Sequence, residues 1–83
     1  MRLKAIQEEL KKRKITIDYN EEDDCASIDF IWRGLSYHIW EFLDDDGTRG
    51  CDTNVFSTGK TVELLEGYED TILRELERWP YME

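Results

Sequence analysis

The segment from residue 26 to residue 42 constrains the fold more than any other part of this chain. Two runs of strand-forming residues flank the dipeptide Arg33-Gly34, and glycine tolerates the positive φ that a two-residue hairpin turn requires. A turn at this point creates three fully apolar cross-strand pairs: Trp32 with Leu35, Phe30 with Tyr37, and Ile28 with Ile39. Because the tightest turn and an apolar face follow from one register, we expect an antiparallel hairpin with this face in the core.

The other face of the same hairpin is mixed in character. Its pairs are Ile31 with Ser36, Asp29 with His38, and Ser27 with Trp40. Three residues on this face, Ile31, Trp40 and Phe42, are too apolar to be fully solvated. If the helices cover only the first face, these three form an exposed apolar patch, which commonly marks a protein contact. Burial under the C-terminal tail or a folded-over loop is the alternative.

The N-terminal part predicts a helix, a strand and a connector. Apolar residues at helical spacing indicate a helix over residues 2–13, with cations near its C-terminal end, where the helix dipole favours them. Alternation over residues 15–19 predicts a strand with three inward side chains, Ile15, Ile17 and Tyr19. Residues 20–24 contain four successive carboxylates that repel one another, so we expect a solvated, mobile connector there.

After the hairpin, turn residues and strand formers alternate again. They predict a turn at 44–47, a strand at 51–56 paired with 38–43, and a turn at 57–60. Residues 61–66 are compatible with a longer strand or with the approach to a helix. A second helix is predicted over 68–79 by a stripe of apolar residues: Tyr68, Ile72, Leu76 and Trp79. Pro80 cannot continue this helix and marks its end.

The predicted order is therefore α-β-β-β-β-α, in a single domain over residues 1–83. We expect an antiparallel meander of three to four strands with both helices on one face, a two-layer α+β fold. A length of 83 residues excludes two domains as well as a Rossmann or TIM-barrel enzyme.

Charge limits the classes of partner. The net charge is −9, yet residues 1–14 carry six basic and two acidic side chains, so the acidic excess lies entirely in the rest of the chain. Such an acidic body argues against binding nucleic acid or an anionic membrane. Neither a signal-peptide core nor a membrane-spanning apolar run is visible, so we expect a cytoplasmic protein with reduced thiols. A single disulfide between Cys25 and Cys51 stays open.

Several residues invite a chemical interpretation, but their spacing argues against it. Asp29 lies opposite His38 in the predicted hairpin, as in many catalytic pairs, yet no nucleophile is placed beside them. Cys25, His38 and Cys51 are each thirteen residues apart, unlike the short paired spacing of structural zinc sites. We therefore expect no enzyme, no metal and no cofactor.

Two loop motifs fail in the same way. An EF-hand with Gly47 at its sixth position would need ligands at Phe42 and Thr53, which cannot supply the required carboxylates. A phosphate-binding loop ending in Gly59-Lys60-Thr61 would need glycine where the chain has Asn54. Neither a calcium loop nor a nucleotide loop is predicted.

Three stretches carry a resemblance: Ala26-Ser-Ile-Asp-Phe30, Arg33-Gly-Leu-Ser-Tyr-His-Ile-Trp-Glu-Phe42, and Asn54-Val55. They resemble a family of small, acidic bacterial proteins of uncharacterised function, over most of the chain. The resemblance implies no activity. In size, acidity and element order the chain also loosely resembles small anti-CRISPR inhibitors that mimic DNA, an architectural analogy only.

These observations predict a non-enzymatic module that binds a protein partner, or a second copy of itself, through Ile31, Trp40 and Phe42. The alternative is an acidic mimic of nucleic acid, built from carboxylate clusters at 21–24, 44–46 and 63–70, that inhibits a DNA- or RNA-binding enzyme. An enzyme based on His38 and Asp29 is the least favoured hypothesis.

Overall fold

A computed structural model of the chain describes residues 1–57 and 59–80. The elements in chain order are α1 (Lys4–Lys12), β1 (Ile17–Glu22), β2 (Cys25–Trp32), β3 (Leu35–Leu43), β4 (Arg49–Thr53), β5 (Val62–Leu64) and α2 (Tyr68–Glu77). The strands form one antiparallel sheet in sequence order, which confirms the α+β meander between two helices. Over the described residues, neither helix is long and apolar enough to cross a membrane.

The central hairpin has the predicted register. Trp32 pairs with Leu35, and every pair from there to Ser27 with Trp40 is as expected. Arg33 and Gly34 both have positive φ, 55° and 77°, as a two-residue turn of this type requires. The apolar face is buried as predicted except at Leu35, which is 42% exposed at the hairpin tip.

Residues 20–24 are exposed to solvent as predicted, but the prediction of a connector there is wrong. β1 begins at Ile17 and continues through Glu22, which pairs with Cys25. Only Asp23 and Asp24 form the turn, and both have positive φ, 52° and 62°. Aspartate tolerates this conformation better than most residues do, so four successive carboxylates occupy a strand end and a tight hairpin turn rather than a loose connector.

The sheet has one more strand than predicted, because three of the ambiguous residues 61–66 pair with β4 as β5. The predicted turn at 44–47 is present: the Gly47 amide donates to the Asp44 carbonyl at 2.9 Å. The predicted turn at 57–60 includes residue 58, which lies outside the described residues. The Lys60 amide there donates to the Ser57 carbonyl at 2.9 Å.

Helix α1 ends in a Schellman motif without the usual glycine. The Ile15 amide donates to the Leu10 carbonyl and the Lys14 amide to the Lys11 carbonyl, at 3.0 and 2.9 Å. Lys14 occupies the left-handed position, with φ of 62°. This turn directs the chain from the helix into β1.

The core lies between the helices and one face of the sheet. Its fully buried members come from both layers: Ile6, Leu10, Ile28, Ile39, Cys51, Thr53, Ile72 and Leu76. Trp79, just after α2, stacks on Trp32 with ring centroids 4.3 Å apart and also contacts Tyr37 and Phe30. The predicted core role of the hairpin aromatics Phe30, Trp32 and Tyr37 is thus confirmed.

Charge is separated along the strand direction. In a five-stranded meander the connections after β1, β3 and β5 lie at one end of the sheet, so the acidic segments 21–24, 44–46 and 66–70 gather there. Lys14, Arg33 and Lys60 lie in connections at the opposite end. The basic residue that ends the α1 connection therefore lies opposite the acidic turns, whereas Arg2, from the same predicted basic segment, bonds Glu41 toward the acidic end.

Candidate protein-interaction face

The sheet face turned away from the helices, called the open face below, contains the predicted patch. It is formed by alternate strand residues: Asp18, Asn20, Glu22, Cys25, Ser27, Asp29, Ile31, Ser36, His38, Trp40, Phe42, Gly50, Asp52 and Glu63. Ile31 is 67% and Trp40 44% exposed, whereas Phe42 is half-buried. The alternative that the C-terminal tail covers this patch concerns residues 81–83, which lie outside the described residues.

Trp40 is exposed but held in one orientation. Its indole Nε1–H donates to the two carboxylate oxygens of Asp29, at 3.1 and 3.3 Å. The His38 ring lies beside it, with ring centroids 4.2 Å apart. An aromatic side chain fixed in this way loses little conformational entropy when a partner covers it.

The side-chain partners of His38 and Asp29 differ from those that a catalytic pair would need. Their backbones are directly opposite, as predicted. However, the Asp29 carboxylate accepts the Trp40 indole, and His38 Nε2 lies 3.1 Å from the Thr61 hydroxyl. A catalytic pair would need a hydrogen bond between the Asp29 carboxylate and the His38 imidazole. Here the Asp29 carboxylate instead fixes the orientation of Trp40.

Phe42 lies over Gly50 on the neighbouring strand. A Cβ atom added to Gly50 would be 2.5 Å from Phe42 Cζ and 2.5 Å from the Leu64 carbonyl oxygen. Both distances are far below van der Waals contact, so any side chain at position 50 would clash with the Phe42 ring and with the β5 backbone. This explains why Phe42 is less exposed than Ile31 and Trp40.

Two pairs of like charges lie directly opposite each other on the open face. Asp18 pairs with Asp29 across β1 and β2, and Asp52 pairs with Glu63 across β4 and β5. Among the described residues, none of these four carboxylates forms an ion pair. Directly opposed like charges destabilise a sheet, so the fold gains nothing from them.

A depression of about 860 Å³ adjoins the open face beside the start of β1 and the tip of the hairpin. Asp18, Asp29 and Ile31 line it from the open face, and Lys14 and Arg33 lie at its rim. The depression extends the surface around Ile31 over the edge of the sheet.

A second polar cluster lies on the helix side, around the buried Glu41. Arg2 donates to both carboxylate oxygens, at 2.7 and 2.9 Å, and the Ala26 amide and Tyr68 hydroxyl donate to the same carboxylate. Burial raises the pKa of Glu41, but the bonds from Arg2, Tyr68 and Ala26 outweigh it and lower the pKa below its usual value. The carboxylate joins α1, the sheet and α2, which is a structural role.

Both cysteines are free thiols. Burial, with the nearby charges of Glu41 and Asp52, raises the pKa of Cys51 to about 12, so its thiol is protonated and unreactive at neutral pH. In the part of the chain that the structure describes, no three His, Cys, Asp or Glu side chains are grouped to hold a metal ion.

Comparison of the chain with protein-family models, with curated proteins and with solved structures finds no match. The resemblance to small acidic bacterial proteins therefore stays a prediction.

Sequence reasoning placed Asp29 on the face of the patch, but it did not identify Asp18, Asp52 and Glu63 on the same face or the close contact of Phe42 with Gly50. Asp18 was not placed on the open face, because the sequence predicted a strand over residues 15–19 but did not indicate its register with β2. Asp52 and Glu63 required the registers of β4 and β5, and the second of these strands was not predicted. These residues could have been found by continuing the alternation from the predicted hairpin register into the neighbouring strands on each side.

Proposed function

We propose that the protein is a non-enzymatic interaction module that binds a protein partner through the open face, centred on Trp40. The observation that carries the proposal is that the Trp40 indole is fixed by Asp29 and His38 while almost half of it stays exposed. Tryptophan is among the residues that most often dominate binding energy at protein interfaces.

Two features of the surroundings support the same function. Ile31 extends the apolar surface and is two-thirds exposed, at an evident cost in solvation. The like-charge pairs beside it weaken the isolated sheet. Local features that reduce stability without a structural benefit are typical of functional surfaces.

Site-specific photo-crosslinking tests this proposal. p-Benzoylphenylalanine is placed at Ser27, directly opposite Trp40, or at the exposed Arg74 on α2 as the control. The products formed in lysate of the cell of origin are identified by mass spectrometry, and the partner is then purified and bound in isolation. We expect one partner from position 27, none of it from position 74, and at least tenfold weaker binding after Trp40→Ala.

The proposal fails if positions 27 and 74 yield the same products, or if Trp40→Ala leaves the affinity unchanged. The thermal stability of the variant is measured in parallel, so that loss of binding cannot be confused with unfolding.

The acidic-mimic alternative is favoured by one observation, the gathering of three carboxylate clusters at one end of the sheet. A mimic would bind the basic groove of a nucleic-acid enzyme through that end and would be released at high salt, because screening acts over about 8 Å at physiological ionic strength. Asp44→Asn, Asp45→Asn and Asp46→Asn together should abolish such binding. Under the interaction-module proposal the same triple variant binds normally.

A further inference from the structure

We infer that the open face accepts a cationic segment, one whose lysine or arginine side chains flank an apolar residue. This inference rests on the proposed function and specifies the chemistry of the partner.

The first argument is the sign of the charge around Trp40. Five carboxylates occupy strand positions on the open face, Asp18, Glu22, Asp29, Asp52 and Glu63, and no lysine or arginine does. Arg49, the one cation within the described strands, alternates onto the helix side and lies 4.0 Å from Glu41. A partner that covers the strands around Trp40 meets only negative side-chain charges of the sheet, and complementary charge is the arrangement that interfaces use for specificity.

The second argument is the position of the two like-charge pairs. They lie on opposite sides of Trp40: Asp29 is on the strand before it and Asp52 is directly opposite it on the strand after it. Adjacent strands are about 4.8 Å apart, and Asp29 and Asp52 are also offset by two residues along the strands, so the two positions are separated by roughly 12 Å. A cation placed near each pair would remove repulsion that the free protein contains, so charge pairing and relief of repulsion both favour the complex.

Trp40 itself is suited to the same partner. An exposed indole attracts an ammonium or guanidinium group, because the face of the ring carries partial negative charge. Its edge is anchored by Asp29, whose charge adds to that attraction. The Trp40 ring, on the strand between Asp29 and Asp52, also supplies the apolar contact for the residue between the cations, and Ile31 extends the apolar surface beyond Asp29.

A second copy of this chain does not fit the open face. A face-to-face dimer would bring two sets of five carboxylates together, and like charges that face each other across an interface oppose association. The occupant is therefore a different protein segment, and self-association through this face is disfavoured.

The test uses two probes and two matched variants. One probe is a short peptide with the order lysine-serine-valine-serine-lysine, which puts both lysines and the valine on one face of an extended chain, and the other has glutamate in place of each lysine. The face variant is Asp29→Asn, Asp52→Asn and Glu63→Gln. The matched control, Glu8→Gln, Glu66→Gln and Glu77→Gln, removes the same charge from exposed positions off the open face. Binding is followed by the NMR shift of the Trp40 indole proton at physiological and high salt.

We expect the lysine peptide to shift the Trp40 indole signal, the glutamate peptide to leave it unchanged, and the face variant to bind at least tenfold more weakly than the control. Equal losses in the two triple variants would show only an effect of net charge and would overturn the inference. An unshifted Trp40 signal, or equal binding of the two peptides, would overturn it as well. If crosslinking identifies a partner that contacts position 27 through an acidic or neutral segment, the proposed function stands and the cationic chemistry fails.

Discussion

The guanidinium group of Arg2 donates a hydrogen bond to each carboxylate oxygen of Glu41, a residue 39 positions further along the chain. The carboxylate side chain is 1% exposed, while Arg2 is about one-third exposed. This bond fixes the start of the chain to the third strand and brings Tyr68, the first residue of α2, to the same point. The N-terminal residues are therefore part of the folded structure.

We expect Glu41→Gln to lower the free energy of unfolding by about 2–3 kcal/mol. Breaking a fully buried ion pair costs about 3–5 kcal/mol, and the partial exposure of Arg2 reduces this figure. Urea unfolding followed by circular dichroism measures the change. Glu75→Gln is the matched control, because its pair with the exposed Arg78 is worth less than about 1 kcal/mol. Equal losses in both variants would contradict the assignment.

The same carboxylate predicts how stability depends on pH. The pKa of Glu41 is lower in the folded protein than its ordinary value of 4.5. Its contribution is thus complete above that ordinary value and is lost as the pH falls through the folded pKa. The stability difference between the wild-type protein and Glu41→Gln should shrink over this acidic range and stay constant from pH 6 to pH 8.

Gly50→Ala should destabilise the protein by about 1–3 kcal/mol, as overpacking usually does. The added methyl group would collide with both the Phe42 ring and the Leu64 carbonyl oxygen. Adding Phe42→Ala should recover only part of the loss, since the backbone collision persists. Full recovery in the double variant would show that β5 can move away freely.

Lys14→Gly should stabilise the protein by about 1 kcal/mol, because lysine is strained at the left-handed position that ends α1. Lys11→Gly removes the same charge inside the helix and should destabilise by a similar amount. Thermal unfolding of the two variants gives shifts of opposite sign. If both shift downward, Lys14 is not strained.

Trp32 and Trp40, eight positions apart on one hairpin, should respond very differently to substitution. Trp32→Ala removes a buried ring stacked on Trp79 and should cost about 3–5 kcal/mol. Trp40→Ala should cost about 1 kcal/mol, because the indole is half-exposed and loses mainly its bond to Asp29. Chemical denaturation measures both. A large loss at Trp40 would indicate a core role and weaken the interaction proposal.

Glu63→Lys should stabilise the free protein by about 0.5–1 kcal/mol while weakening its binding of the lysine–valine peptide. The substitution converts a repulsive pair with Asp52 into an attractive one. Glu66→Lys makes the same charge change outside the sheet and should leave stability nearly constant. If Glu63→Lys leaves peptide affinity unaltered, Asp52 and Glu63 do not contact the partner.

The parts of the fold that were predicted correctly are those set by local pattern. The Arg33-Gly34 turn fixes its register within a few residues, and the α2 stripe needs only helical spacing. β5 was not predicted because three residues carry too little pattern and depend on pairing with β4. The Arg2–Glu41 bond joins distant segments, and no local signal encodes it.

Among the patch residues, too, positions set by local pattern were predicted and contacts between strands were not. Ile31 and Trp40 follow from the hairpin alternation, but the bond from Trp40 to Asp29 is diagonal and depends on rotamers that sequence does not determine. Asn54 is a further example: its side chain bonds the Ser36 carbonyl and the His38 amide, continuing the ladder beyond the end of β4.

The gathering of acidic turns at one end of the sheet and basic connections at the other gives the molecule a permanent electric dipole along the strands. In the field of a charged macromolecule such a body rotates before it makes contact. An encounter with a positively charged surface would therefore begin at the acidic end of the sheet. The first contacts would be made by the acidic turns, before the rest of the sheet reaches the partner.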